Sequence, residues 1–568
     1  MSAALRAGWA DVIIFVVLFG LLSGVSHLTH DMTASFSPSH QMQIDLRPSA
    51  LPGYAARSLL RMFIAFGASI LFTLIYGYVA AYNVSARKML VPLLDILQSV
   101  PVLGFLSITV TGFMALFPGS LMGLECASIF AIFTGQAWNM TFSFYQSLIT
   151  IPKELREAAT IYQLTLWQRL IKLEIPFSMI GLVWNGMMSF GGGWFFLAAS
   201  EAISVLNQNY LLPGIGSYMA VAVKKGDTRA ELWAIVAMIL IVVLVDQFFW
   251  RPIVAWSQKF KFEQTDSTLE PTSVVLDIIR QAKALPWLEN RVGVPIARAI
   301  DHSFSRAAQV SQAIPANPSV KKFVRYALGM GMLVLIAYGL FRGIKVVATE
   351  VTPYMLLHVA YLGMLTLLRV AVMVVFATVV WTPIGVAIGF SPKLSRIAQP
   401  LVQIGASFPA NLLFPVVVIA FISLHISLNW GSVILIALGT QWYILFNVIA
   451  GASSVPSDLR EAATVFRLSG WQLWRTLILP AIFPAWVTGA LTAAGGAWNA
   501  SIVAEVADSG SHHLVASGLG AYITNATTRG DWPAIIVGIG TMSLYVVLLN
   551  KFVWRPLYGL GETRFGLG

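Results

Sequence analysis

A 25-residue stretch at 152–176 returns at 456–480 with 12 identical residues, an offset of 304 positions. The same offset lays Trp138 on Trp442, Trp194 on Trp498, Glu201 on Glu505, Gly214 on Gly518 and Trp250 on Trp554, without a gap over about 115 residues. Upstream the offset becomes 308 and pairs Arg61 with Arg369, Pro92 with Pro400 and Pro101 with Pro409. The chain is a duplication, and its fold has to be one that can be built twice and joined.

Composition decides the solvent of that fold. Of the 568 residues 57% are apolar and 11% charged, less than half the charge density of a typical soluble domain. Too little charge remains to coat a water-exposed surface, which excludes a soluble enzyme. High apolar content excludes disorder, and the lone Cys126 excludes a disulfide scaffold. Apolar stretches long enough to cross a bilayer are expected near 11–29, 58–84, 92–117, 121–148, 176–199, 231–250, 326–347, 359–390, 400–424, 427–450, 480–502 and 533–550. The expected fold is an all-α polytopic membrane protein of about twelve transmembrane helices.

An even number of spans puts both termini on one side. With that side cytoplasmic, 26 of the 36 Lys and Arg residues fall in cytoplasmic intervals, the bias that orients helices during insertion. The first span precedes a polar segment with no small-residue cleavage pattern, and is read as a retained helix. Six spans per half give two parallel repeats related by an axis along the membrane normal: a first half at 1–255, a cytoplasmic linker at 256–320 and a second half at 321–568. The linker is polar and proline-punctuated, with short amphipathic pieces. It reads as a spacer or as helices lying on the bilayer or on a partner.

The repeated stretch falls between the fourth and fifth spans of each half. Pro152 and Pro456 suit a first helical position, with Glu154 and Asp458 in the favourable first turn. Thr165 to Gln168 and Ser469 to Gln472 each place a hydroxyl three residues before a glutamine, which predicts a capping box opening a second short helix. Asp227 and Asp531 are expected to cap the last span of each half. Glu157 with Ala158 and Ala159, and Glu461 with Ala462 and Ala463, leave a low ridge beside a charge. Such a unit kept twice suits two docking sites for a duplicated partner; the alternative is a hairpin that merely covers the underside of the bundle.

For the substrate path, the fifth and eleventh spans carry Gly191-Gly192-Gly193-Trp194 and Gly495-Gly496-Ala497-Trp498. Glycine runs let helices approach closely or unwind. Glu201 and Glu505, seven residues beyond the tryptophans, share their face if the helix continues. The expectation is a pore lined by this helix pair, with Trp194 and Trp498 as a constriction, Glu201 and Glu505 near its outer end, and Asn185 and Asn499 as further polar groups. The competing reading is interfacial tryptophan belts and packing glycines. Asp95 becomes Gln403 and Asp246 becomes Asn550 in the other half, which argues against a symmetric proton relay. His27, His30, Asp31 and His40 have no equivalent in the second half and read as a polar loop, so no metal site is assigned.

LREAAT at 155–160 and 459–464, followed by Trp-Gln and a proline, resembles the EAA loop of binding-protein-dependent ABC importer permeases. Ala-Trp-Asn at 497–499, the glutamate seven residues on, and Gly-Ile-Gly or Gly-Leu-Gly with its tyrosine are most similar to the nitrate/sulfonate/taurine branch. The resemblance covers nearly all of both halves and implies a type I ABC importer-like fold with two permease domains fused. It further implies that Glu157–Ala159 and Glu461–Ala463 are the coupling helices seated on two copies of a cytoplasmic ATP-binding subunit. Where the family usually has glycine four residues after the second alanine, this sequence has Gln163 and Arg467, a departure that leaves open both the geometry of the turn and the equivalence of the two docking sites.

No lysine precedes Ser or Thr, so the chain has no phosphate-cradling P-loop. No catalytic residue is assigned; ATP and Mg would be held by the partner ATPase. The longest external segment, about 30 residues, is too short for a receptor domain, so a separate extracytoplasmic binding protein is expected, with membrane lipid and no nucleic acid as further partners. The expected location is the bacterial inner membrane. The rival function is a secondary transporter driven by an ion gradient, which would need coupling-ion residues near the midplane and has no use for twin docking motifs.

Overall fold

In the computed structural model, the described residues run from 43 to 564, apart from 100, 206–207, 261–272, 282–285, 288, 300, 302, most of 304–348, and 510–511, with isolated positions between 20 and 32 besides. All but isolated positions of the spans expected at 11–29 and 326–347 lie outside the described residues.

The first half runs α1 (Leu51–Tyr82), α2 (Val84–Ser99), α3 (Leu106–Leu116), α4 (Met122–Ile149), α5 (Lys153–Ile161), α6 (Leu166–Arg169) and α7 (Ile175–Glu201). A short hairpin of β1 (Ala202–Val205) and β2 (Gln208–Leu211) follows, then α8 (Ile215–Lys225), α9 (Thr228–Val245) and α10 (Arg251–Ser257). The linker contributes α11 (Val274–Gln281). The second half repeats the series as α12 (Pro353–Gly389), α13 (Pro392–Ser407), α14 (Phe414–Ser423), α15 (Leu428–Ser453), α16 (Ser457–Val465), α17 (Gly470–Leu473) and α18 (Leu479–Ala504). It ends with β3 (Val506–Ser509), β4 (His512–Val515), α19 (Leu519–Arg529), α20 (Trp532–Leu549) and α21 (Arg555–Arg564).

Six of the described helices are both long and apolar enough to cross a membrane, and α3 and α14 are shorter apolar helices. Leu357, Met364, Leu368, Val375 and Val379 of α12 are all more than half exposed. Their spacing of four and seven puts them on one helical face, a stripe suited to lipid. Gly363, Thr366, Val370, Met373 and Ala377 line the buried side; α4 is sandwiched between α1 and α7, and α15 between α12 and α18.

Two expected spans are corrected. The stretches 92–117 and 400–424 are each broken into two helices joined by a 3₁₀ turn, Val102–Phe105 in one half and Ala410–Leu412 in the other. Pro101 and Pro409 open these turns with ψ of 116° and 101°. Proline drives the residue before it out of the helical region, and Phe408 is accordingly extended at ψ 128°. Apolarity alone could not show this, because both pieces are apolar. The broken helices form the seam. The turn at Val102–Phe105 packs on α18, and the one at Ala410–Leu412 on α7; α13 also meets α7 and α9, and α2 meets α20.

The two β-hairpins are the departure from an otherwise all-α chain among the described residues. Each pairs four residues with four, Ala202 opposite Leu211 and Val506 opposite Val515. They return the chain to the helix it has just left: Leu212 N–H donates to Glu201 O at 2.9 Å and Ala516 N–H to Glu505 O at 2.8 Å.

Candidate functional sites: twin hairpins, buried clasps and the seam

Helices α5 and α16 begin one residue later than expected. Pro152 and Pro456 are the caps, with ψ of 145° and 142°, so they lie outside the helix and Lys153 and Ser457 open it. Glu157 and Glu461 are exposed, and Ala158 and Ala462 are half-buried. Ala159 and Ala463, each 6% exposed, face their own bundle. The low ridge expected on the outside therefore lacks its second alanine, whose small side chain lets the hairpin sit close to the bundle. Arg156 Nη2 donates to the last carbonyls of α4, Leu148 O at 2.7 Å and Ile149 O at 3.2 Å. Cationic donors favour that helix end. Arg460 instead lies over the Phe390 ring at 5.6 Å.

Both helices end alike. Gln163 and Arg467 adopt left-handed φ of 49° and 51°, the conformation a glycine supplies at no cost. Around them Leu164 N–H reaches Ala159 O at 2.9–3.0 Å, as Leu468 N–H reaches Ala463 O, and Gln163 and Arg467 donate to Thr160 O and Thr464 O at 3.0 Å. This is the 6→1, 5→2 pair of the glycine-type helix stop. The turn left open by the missing glycines keeps the glycine-type geometry in both halves, with side chains that disfavour it. What sequence reasoning missed is the apolar tip. Ile161 and Tyr162 are each 78% exposed, and their equivalents Val465 and Phe466 are 79% and 76% exposed. Consecutive large apolar residues beside a charge motif were the available signal.

The capping box forms in the first half, where Gln168 N–H donates to Thr165 Oγ1 at 3.2 Å and Thr165 N–H to Gln168 Oε1 at 3.2 Å. In the second half Ser469 makes no cap bond; Gly470 at φ 53° turns the backbone aside. Asp227 and Asp531 do cap their helices, accepting from Ala230 and Ala534 N–H at 3.1 Å.

Glu201 and Glu505 occupy a different place from the one expected. Both are fully buried rather than open at a pore mouth. Arg61 Nη1 donates to Glu201 Oε1 at 2.8 Å, while its other nitrogens grip Glu125 at 2.5 and 2.7 Å. Ser58 Oγ and Gly216 N–H complete the shell of Glu201 at 2.6 and 2.7 Å. In the second half Arg369 Nη1 donates to Glu505 Oε1 at 2.7 Å, and Thr366 Oγ1 and Ala521 N–H add bonds at 2.8 and 3.1 Å. A buried charge must be paired and bonded, and these are. The glycines of the Gly-Ile-Gly and Gly-Leu-Gly motifs make room: a Cβ on Gly214 would strike the Glu201 carboxylate and one on Gly518 that of Glu505. Asn429 replaces Glu125 in the second clasp, where Arg369 Nη2 donates to its Oδ1 at 3.2 Å.

Trp194 and Trp498 are each 1% exposed. Trp194 packs edge-on to Phe190 at 5.8 Å and Trp498 stacks on Tyr545 at 6.1 Å. The constriction reading is corrected, because both rings are core. Trp194 meets the seam through a cavity of about 10 Å³ shared with Asp246, Gln403 and Ser407, at the lower limit for one water. Asn185 is likewise turned inward, donating to Ser143 Oγ at 3.1 Å and Gly181 O at 3.0 Å. Asn499 does reach the seam: its Oδ1 accepts from Val102 N–H of the other half at 2.8 Å. Asn411 makes the pseudo-equivalent contact to Phe195 O at 3.4 Å. Helix α7 stays continuous through its glycines. A Cβ on Gly191 would meet Ser407 Oγ at 2.8 Å, and one on Gly192 would meet Tyr443 Oη at 3.1 Å, both across the seam.

Two pseudo-equivalent helical bundles, each with a proline-broken helix at the seam and one exposed hairpin, define a duplicated membrane permease. The chain belongs to the family of binding-protein-dependent transport system inner membrane components, whose profile matches residues 69–249 and again 381–553. It is 28% identical over 188 residues to a nitrate import permease protein of Leptolyngbya laminosa, covering 33% of this chain and 64% of that protein. A bicarbonate transport system permease protein of Synechococcus elongatus is 29% identical over 189 residues, with the same shares. A putative aliphatic sulfonates transport permease protein of Bacillus subtilis is 27% identical over 184 residues, 31% of this chain and 63% of that protein. The chain thus spans just under two thirds of these relatives' length.

Proposed function

We propose that the chain is the permease of an ATP-driven importer for a small solute in the bacterial inner membrane, with both termini cytoplasmic. Residues 1–255 and 321–568 are its two halves and 256–320 its cytoplasmic linker. The seam carries the solute, and two separate ATP-binding subunits, which hold ATP and Mg, drive the halves through the hairpins at Glu157–Ala159 and Glu461–Ala463. A separate binding protein delivers the solute. The observation that supports this most directly is the hairpin pair: two surfaces 304 residues apart share one strained helix stop and present the same exposed charge and apolar tip. A hairpin that only covered the bundle would turn those tips inward.

The relatives are named for nitrate, bicarbonate and aliphatic sulfonates, all small anions, and we assign this chain to the same solute class. Glu201 and Glu505 do not oppose that assignment, since both are buried and held by Arg61 and Arg369 inside their own bundles. Copurification after mild solubilisation tests the reading: two ATPase copies per chain are expected, and none would overturn it. Replacing Glu157 and Glu461 together by Arg is expected to abolish coupled ATP hydrolysis with the thermal midpoint unchanged, because both carboxylates are exposed.

A further inference from the structure

The two hairpins share a backbone but are not held alike. In the first half Glu174, fully buried at the root of the hairpin, accepts from Tyr82 Oη at 2.7 Å and from Arg169 Nε at 2.6 Å. The guanidinium of Arg169 also lies over the Tyr82 ring at 4.5 Å. The repeat offsets put Phe390, Leu473 and Ile478 at these three positions in the second half. A bonded polar triad in one half is therefore an apolar triad in the other. A charge-assisted bond holds one geometry, whereas apolar contact is non-directional.

The linker adds to the difference. Residues 294–299 are helical, as is Asp301. Asp301 Oδ2 accepts from Gln168 Nε2 at 3.0 Å, and Gln168 is the residue that closes the first capping box. The other oxygen of Asp301 is also withdrawn from solvent. At the second hairpin the matching Gln472 is exposed, its capping box is absent, and Trp471 is 71% exposed where Trp167 is half-buried.

We propose that Asp301 of the linker, with the Tyr82–Arg169–Glu174 triad, clamps the first hairpin to its bundle, making the first docking site a rigid composite surface and the second a bare, pliant one. Asp301, Arg169 and Glu174 are then positioning residues, and the linker is part of an interface rather than a spacer. Its relevance to docking rests on the function proposed above, but the clamp is a property of this chain alone.

Hydrogen exchange read by mass spectrometry on the full chain in detergent separates the two. Amides at 153–174 are expected to exchange about tenfold more slowly than those at 457–478, the signature of rarer local opening. Asp301→Ala is expected to narrow the gap. The triple change Tyr82→Phe, Arg169→Leu, Glu174→Ile copies the apolar root of the second half and should close it to within about twofold. Equal exchange in the unmodified chain, or a gap that survives both variants, overturns the clamp. Adding the copurified ATPase subunit is the second arm. If neither hairpin gains protection while the intrinsic gap persists, the docking reading fails and the clamp stands; protection of both, with the first still slower, supports the two together.

Discussion

Arg61 stands 2.8 Å from Glu201, with both side chains wholly out of solvent and 140 residues between them in the chain. The pair joins α1 to the end of α7, and the same pair recurs as Arg369 with Glu505 at 2.7 Å. Each bundle is thus fastened at the same corner by one arginine, and the Gly-x-Gly motif leaves room for the glutamate it holds at the end of the helix.

Removing one member of such a pair leaves a buried charge uncompensated, at a cost of about 3–5 kcal/mol. Arg61→Met strands two carboxylates, Glu125 and Glu201, whereas Arg369→Met strands Glu505 alone. Both variants are expected to lower the thermal midpoint, Arg61→Met more. Glu125→Asn should be mild by comparison, because Asn429 already fills that position in the second clasp. Fluorescence-detected size exclusion after a temperature series ranks the three; a mild Arg61→Met would show that the clasp is not structural.

The strained helix stops predict gains. A non-glycine residue in the left-handed region costs roughly 1–2 kcal/mol, and Gln163 and Arg467 both bear that cost. Gln163→Gly and Arg467→Gly are each expected to stabilise by about 1 kcal/mol, against a smaller loss from glycine's freedom in the unfolded chain. Thermal scans of the two variants and their combination check this, with additive gains expected because the sites are far apart.

Much of this was legible locally. The duplication shows as identity at a constant offset, and the long helices, the Asp227 and Asp531 caps and the first capping box follow from residues within a few positions of each other, where propensity and spacing act. The clasps were not, because charge pairing across 140 residues needs the fold before the partners can be named. The glutamates and tryptophans were placed on a path because they share a helical face, yet a face can point into a bundle as well as into a seam. The helix breaks at Pro101 and Pro409 were hidden by apolarity on both sides. The differences between halves, such as Glu174 against Ile478, were visible as letters but had no meaning until the hairpin root was seen.

The exposed tips should carry binding energy rather than stability. Tyr162→Asp and Phe466→Asp put charge where apolar surface would otherwise be buried against a partner, and each is expected to weaken ATPase binding at least tenfold. Both tips are largely exposed, so the thermal midpoint of the free permease is expected to stay unchanged. Surface-binding measurements with the copurified ATPase decide the matter; full affinity in the double variant would remove the tips from the interface.

The seam offers a graded comparison. Asn499 Oδ1 accepts from Val102 N–H at 2.8 Å, and that N–H lies in the turn after Pro101, where helix bonding has been interrupted. Asn499→Ala leaves it unpaired, a loss of about 1–3 kcal/mol, and loosens the place where one half grips the other. Asn411 contacts Phe195 O at 3.4 Å, and its own Oδ1 has no partner among the described residues, so Asn411→Ala gives up a long bond and relieves an unsatisfied oxygen. Asn499→Ala is therefore expected to lower stability and impair solute uptake in proteoliposomes, while Asn411→Ala changes both little. The opposite ranking would show that the shorter Asn499 bond is not what holds the two halves together at the seam.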